Sequence, residues 1–278
     1  MIEHQKYRAL LLLLLVPLTL FLGSCNRGRE PRFHDVDQMK PERVYNMDII
    51  RQRGVLKVVT EYNSISYFIY RGQPMGFQYE MLQELANYMN LALEVRVSND
   101  LDRNFSDLRE GNVDMIAMNL TITSKRKSEV AFTEPLLQTR QVLVQRKPLQ
   151  WERMNRKQHE SSMLRNQLDL EGKVVYVQAG SVYEARLRSL SNEIGGGIDI
   201  RMVNLEAEQL IQRVALGEID YTVCDENVGL VNTTYFPQLD VGTAISFPQH
   251  VAWAIHPSSD SLKKVIDQWV TDYRKTSH

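Results

Sequence analysis

Arg126 stands where a cation is not expected. The stretch "DMIAMNLTITSKRKSEVAFTEP" (114–135) begins as an apolar strand and turns polar at Asn-Leu-Thr-Ile-Thr. It then enters a predicted helix whose first turn reads Ser-Lys-Arg-Lys. A helix N-terminus already carries about half a positive charge, so anions are favoured there and cations are not. The planar fork of Arg126 suits a carboxylate. Thr121 adds a hydroxyl, and the N–H groups of the following helix add donors. Asp225, and Glu61 after the first strand, offer acceptors for an ammonium group. One cation with one or two carboxylates matches a zwitterion, such as an amino acid or the end of a peptide. Plainer readings stay open: Arg126 as a solvated helix residue offset by Glu129, and Asp225 as a helix N-cap.

Other chemistries find little support. The sequence has no P-loop, H-E-x-x-H or G-x-S-x-G. Its 6 histidines are scattered without metal-ligand spacing, so neither metal nor cofactor is expected. If Asp225 faces a cleft, alternation along the strand turns Cys224 into the core, away from any nucleophilic role. "HESSM" (159–163) superficially resembles the Glu-Ser of a lytic transglycosylase, but it lacks the glycine-rich and Met-Gln elements that follow there. Tyr62, Tyr67, Phe68 and Phe105, in or near loops after strands, are candidate apolar walls that also read as core. Ser181 in "AGSVYEARL" is expected to cap a helix whose N-terminus offers a second anion site, with simple capping the plainer role.

The elements that must position these residues follow an α/β plan. The 278 residues suit about two domains, and a net charge of −1 gives no sign of a nucleic-acid surface. "GVLKVVTEY" is a β-branched run, and "FQYEMLQELANYMN" carries Phe77, Met81, Leu82, Leu85 and Met89 at helical spacing. Two internal echoes suggest two lobes of one construction. "GNVDMIAMN" (111–119) matches "GEIDYTVCD" (217–225), and "GVLKVVTE" (54–61) more loosely matches "GKVVYVQA" (172–179). The pairing makes Asn119 and Asp225 equivalent, each at a strand's carboxyl end, where open α/β sheets bind ligands. Two facing lobes would gather Thr121, Arg126 and Asp225 around one cleft.

The N-terminus reads as a leader. Lys6 and Arg8 precede an apolar run from Ala9 to Leu22, then Gly23-Ser24-Cys25. "LGSC" looks like a bacterial lipobox, which would make Cys25 the lipid-modified first residue of the mature protein. The expected organisation is a signal peptide over 1–25 and a polar tether over 26–48. A first lobe over 49–147, a second over 148–245 and a return over 246–278 follow, with crossovers near 146–148 and 244–247.

"GFQYEMLQELANYM", "GNVDMIAMNLTITSKRKSEVAFTEPL", "LEGKVVYVQAGS" and "LGEIDYTVCDE" together resemble the family 3 solute-binding proteins of bacterial amino-acid uptake. The resemblance implies a periplasmic-binding-protein type 2 fold, two α/β lobes with two interlobe crossovers that close on a ligand. It implies that Thr121 and Arg126 hold the ligand carboxylate and that Asp225 binds the ammonium. Departures accompany the matches. The first-lobe acid is met only by Glu61, Asn119 stands where glycine is common, and Gln178 replaces a frequent basic residue. The leader, the "GFQYEML" helix and the "LREGNVD" turn look closest to the non-catalytic N-terminal module of membrane-bound lytic transglycosylase F. That branch implies sensing of cell-wall fragments.

The resulting expectation is a lipid-anchored, periplasm-facing protein of the cell envelope, with no catalysis in this chain; Asn26, directly after the lipobox cysteine, is compatible with sorting to the outer membrane. It would capture an amino-acid-like or muropeptide ligand, with a transglycosylase or permease as possible partner. Two alternatives stand beside this sensing role. One is the substrate-binding subunit of an amino-acid transporter. The other is the N-terminal part of a transglycosylase whose catalytic domain lies beyond "WVTDYRKTSH", which stops short of the family's usual last helix.

Overall fold

The computed structural model describes residues 46–276. The expected signal peptide, the lipobox with Cys25 and most of the tether lie outside the described residues. Residues 47 and 48 of the expected tether belong instead to helix α1 (Met47–Arg53), which Asn46 caps and whose Met47 is buried.

The first sheet opens with β1 (Val55–Thr60), buried at Leu56 and from Val58 to Thr60 as a central parallel strand should be. A small hairpin, β2 (Phe68–Tyr70) and β3 (Gln73–Met75), leads into α2 (Phe77–Met89). Gly76 sits between them at φ 134°, with its Cα so close to the Ser66 carbonyl that a Cβ would lie 2.5 Å from that oxygen. Next come β4 (Ala92–Val97), α3 (Leu101–Arg109) and β5 (Met115–Thr121). The single-turn α4 (Ser124–Lys127) and the short strands β6 (Ala131–Phe132) and β7 (Leu137–Thr139) complete this run.

The second sheet begins with β8 (Gln141–Arg146), followed by α5 (Arg156–Ser161) and β9 (Val174–Gln178). Then come α6 (Val182–Glu193), β10 (Asp199–Val203) and α7 (Ala207–Leu216). β11 (Tyr221–Asp225), α8 (Glu226–Tyr235) and β12 (Leu239–Ala244) close it. The chain then returns with β13 (Gln249–Ile255) and α9 (Asp260–Thr276).

The two sheets share one strand plan. The first runs β4-β1-β5-β13-β6, with β7 also on β13, and the second runs β10-β9-β11-β8-β12. In each, three parallel strands are followed by an antiparallel strand, β13 in one and β8 in the other. The sequence echoes therefore fall on matching strands: β1 with β9, and β5 with β11. The first crossing lies at Arg140 between β7 and β8, earlier than the expected 146–148. "QVLVQR" reads as a buried strand with either sheet, and only its ladder with β11 assigns it to the second. The return crossing spans residues 245–248.

Helices cover both faces of each sheet, so the central strands alternate between two cores. Met115 and Ala117 of β5 pack with Leu82, Leu85, Trp253 and Ile266, while Ile116, Met118 and Leu120 pack with Leu108 and Phe132. In the second sheet Cys224 lies with Val142, Ile211 and Val214, and Val223 with Leu143 and Leu187. Cys224 is a buried free thiol in that apolar cluster, as its place next to Asp225 on a strand predicts.

Candidate functional site

The carboxyl ends of the parallel strands from both sheets surround a cavity of about 330 Å³, within the usual range of small-ligand sites. Glu61 follows β1; Asn119 and Thr121 end β5; Gln178 ends β9; and Asp225 ends β11. Arg126, Ser181, Tyr183 and Glu206 add to the charged and polar lining, with Asn99, Asp100 and Asp102 along one side.

Arg126 reaches this cavity from α4, where Thr123 caps the turn by accepting from the Arg126 N–H. The expected helix is a single turn, and the guanidinium is the cationic group that it carries to the cavity. Nη1 donates to the Thr121 carbonyl at 3.1 Å, which aims the side chain along the end of β5. Among the described residues, no carboxylate pairs with Arg126 within 4.0 Å, Glu129 included. Burial pulls its pKa down, and the nearby Tyr183 and Asp225 pull it back up. The guanidinium is thus partly desolvated and still open to a partner.

Asp225 occupies the N-cap position of α8 but makes no capping hydrogen bond with its side chain. It is 6% exposed, and its carboxylate accepts from the Tyr183 hydroxyl. Burial pushes this carboxyl up to about 7, against the pull of the Tyr183 hydrogen bond; the Glu61 charge adds to the push and Arg126 opposes it. Tyr183 itself is held neutral, because burial raises its pKa well above the usual phenol value. Glu61 is also raised by burial, restrained by hydrogen bonds from Ser66, Asn63 and the Asn119 backbone N–H. The Ser66 hydroxyl donates to Glu61 Oε1 at 2.9 Å.

Ser181 does what a cap does: its hydroxyl accepts from the Glu184 N–H and donates to the Gln178 carbonyl. Gln178, in place of the base, donates one amide N–H to Glu206 at 3.1 Å.

Two expected wall residues lie elsewhere. Tyr67 packs edge-on against Tyr79, with ring centroids 5.4 Å apart, beside a separate hollow between α2 and β4. Phe105 leans on the core under α3. An aromatic residue is readily visible in sequence, but which surface it packs against is a tertiary property. Tyr183, Glu206 and Gln78 were not singled out by sequence reasoning. Gln78 left a signal, as a polar residue one helical turn before Met81 and Leu82 on the apolar stripe of α2.

Among the described residues, no cluster of His, Cys, Asp and Glu could hold a metal ion, and no helix is long and apolar enough to cross a membrane.

A profile described as "Bacterial extracellular solute-binding proteins, family 3" matches residues 56–276. The chain is 32% identical over 229 residues to a membrane-bound lytic murein transglycosylase F of Desulfosudis oleivorans, an overlap covering 81% of this chain and 47% of that protein. It is 29% identical over 231 residues to the protein of that name from Saccharophagus degradans, covering 83% and 44%. The chain thus spans about half the length of the curated relatives it matches. Among solved structures, holo ArgBP from T. maritima superposes with TM-score 0.68 at 22% identity, covering 82% of this chain and 94% of that one. An ancestral arginine-binding protein bound to arginine gives 0.67 at 23% identity, covering 80% and 93%. The type 2 periplasmic-binding-protein fold implied by the sequence resemblance is the fold the chain adopts.

Proposed function

The chain belongs to the bacterial extracellular solute-binding proteins of family 3, and from that premise we propose that its cleft captures a small zwitterion between two closing lobes. Arg126 and Thr121 take the carboxylate; Asp225, with Glu61 beside it, takes the ammonium. The observation that supports this most is the pairing in one cavity of a guanidinium without a carboxylate partner and a buried carboxyl raised to about 7. Each lacks the counter-charge that an amino acid would bring.

The ligand is an amino acid or a cell-wall peptide, and the role is sensing for murein turnover. The similarity to the transglycosylase F proteins supports that role. Transport is the second reading, favoured by the family as a whole. A continuing reading frame past codon 278 that encodes a murein-cleaving domain would make this chain a regulatory part of an enzyme, and neighbouring permease genes would favour transport. Calorimetry of the wild type and Arg126→Ala against the standard amino acids and muropeptides tests the site. Binding by the wild type and loss in the variant is the expected pair, and equal affinity sinks the assignment. We also propose that Cys25 carries a lipid that tethers the protein to the envelope, in the outer membrane. Cys25→Ser should then move it from the membrane to the soluble fraction, and continued membrane attachment would point to another anchor.

A further inference from the structure

Gln78 is fully buried on α2 and bridges the core to the cleft. Its Oε1 accepts from the Trp253 indole N–H at 2.6 Å, and its Nε2 donates to Asn119 Oδ1 at 2.7 Å. Met115, Ala117 and Asn119 share one face of β5, so Asn119 extends the core row to the cavity, where the start of α2 meets it. The Asn119 backbone N–H supports Glu61, while its side chain lines the cavity.

The polarity of this chain of hydrogen bonds has one solution. An indole N–H can only donate, so the atom of Gln78 facing it is the oxygen. The Gln78 nitrogen is then left for Asn119, whose facing atom must accept. The Asn119 NH2 is the end that remains, and among the described residues no hydrogen bond is recorded for it. Trp253 is itself fully buried and stacks on Trp269 at 6.0 Å, which fixes the start of the relay.

We propose that Gln78 is a positioning residue: anchored by Trp253, it holds the Asn119 carboxamide with its NH2 toward the cavity, making Asn119 a dedicated donor to an acceptor oxygen of the ligand. This rests on the zwitterion reading for the nature of the ligand, but not for the orientation of the amide. The donor adds to Arg126 at the negative end of the ligand, at a position where glycine would supply none.

Side-chain amide NMR of the unliganded full chain tests the orientation without any ligand. The Gln78 NH2 should exchange slowly with water and the Asn119 NH2 quickly. The reverse pattern overturns the proposal. Gln78→Glu, when ionised, keeps the acceptor for Trp253 but has no donor, so at a pH high enough to ionise it Asn119 should flip and its NH2 become protected. If that variant fails to fold, Trp253→Phe removes the fixed donor, and two Asn119 amide environments should replace one; a single unchanged environment overturns the proposal.

Binding is then measured by titrating the twenty L-amino acids and a murein tetrapeptide. Affinity for whichever of these binds the wild type should fall on the order of tenfold in Gln78→Glu, with Arg126 intact. Unchanged affinity in a flipped variant removes Asn119 from recognition. If Arg126→Ala also leaves binding unchanged, the zwitterion reading fails while the exchange result on the amide still stands.

Discussion

Ser64 and Glu208 join the two halves across the mouth of the cleft. The Ser64 backbone N–H reaches both carboxylate oxygens of Glu208 at 3.2 Å, and its hydroxyl donates to Oε1 as well. Ser64 belongs to the loop after β1 and Glu208 to the first turn of α7, so the contact spans the two sheets. Asn99, which also binds the Tyr62 backbone, reaches Glu206 nearby.

These bonds hold the lobes together, and hydrogen bonds to a charged group contribute roughly 1.5–3 kcal/mol. Glu208→Ala should therefore loosen the unliganded protein. Small-angle scattering should show a larger radius of gyration, restored in part by ligand. Asn232→Ala, which removes a contact of Glu208 and a bond to the Val228 carbonyl, both within one lobe, serves as the control and should scatter like the wild type. An unchanged profile for Glu208→Ala would remove the bridge from the account of closure.

Arg126→Lys separates charge from geometry. Lysine keeps the cation but loses the planar fork, so affinity for a carboxylate ligand should fall by about 10-fold, and by about 100-fold or more in Arg126→Ala. The melting temperature should hardly move, since the side chain makes one recorded hydrogen bond within the fold, to the Thr121 carbonyl. A large loss of thermal stability would mean that Arg126 serves the fold instead of the ligand.

Binding should be coupled to proton release. Asp225 titrates at about 7 in the folded, unliganded protein against 3.8 unperturbed, so below neutrality it keeps a proton that a bound ammonium expels. Affinity should rise with pH, by at most about tenfold per unit for one proton, and level off above 7. Calorimetry at pH 6 in two buffers of different ionisation enthalpy should reveal the released proton. Asp225→Asn should abolish this release. Tyr183→Phe removes a donor that favours the carboxylate and should move the plateau to higher pH. The same raised value means that the folded state binds the extra proton. The stability it contributes is complete below about 4 and is lost as pH rises through 7, so the unliganded protein should melt lower at pH 8 than at pH 6 by more in the wild type than in Asp225→Asn.

Gly76→Ala tests the loop that carries Ser66 to Glu61. The φ of 134° is foreign to L-residues, and a Cβ would lie 2.5 Å from the Ser66 carbonyl oxygen. The strain should destabilise the protein by about 2–3 kcal/mol, lowering the melting temperature by roughly 5–10 °C. A variant that melts with the wild type would show that the loop yields freely.

Much of the site was legible because strand ends are legible. A glycine stop, a polar residue, a β-branched residue and an aspartate before each strand marked Asn119 and Asp225 as partners, and their strands hold matching places in the two sheets. Arg126 stood out as a cation in a turn that disfavours one. What stayed hidden depended on partners distant in sequence. "QVLVQR" is a strand in any reading, but its sheet is chosen by Val142 and Val144 packing beside Ile211 and Val214. Tyr67 could have faced either side of its loop, and Tyr79 decides. Tyr183 lay two residues beyond a helix cap that drew attention to Ser181.

The placement of β13 has a consequence for biosynthesis. The second sheet uses strands from residues 141–244 alone, whereas the first has its inner gap between β5 and β6 filled by residues 249–255. A ribosome therefore emits the first half unable to close its own core, then the second half in one uninterrupted piece, and only afterwards the strand carrying Trp253. The half made earliest is the one completed last, and until β13 arrives its β5 edge has no partner on that side.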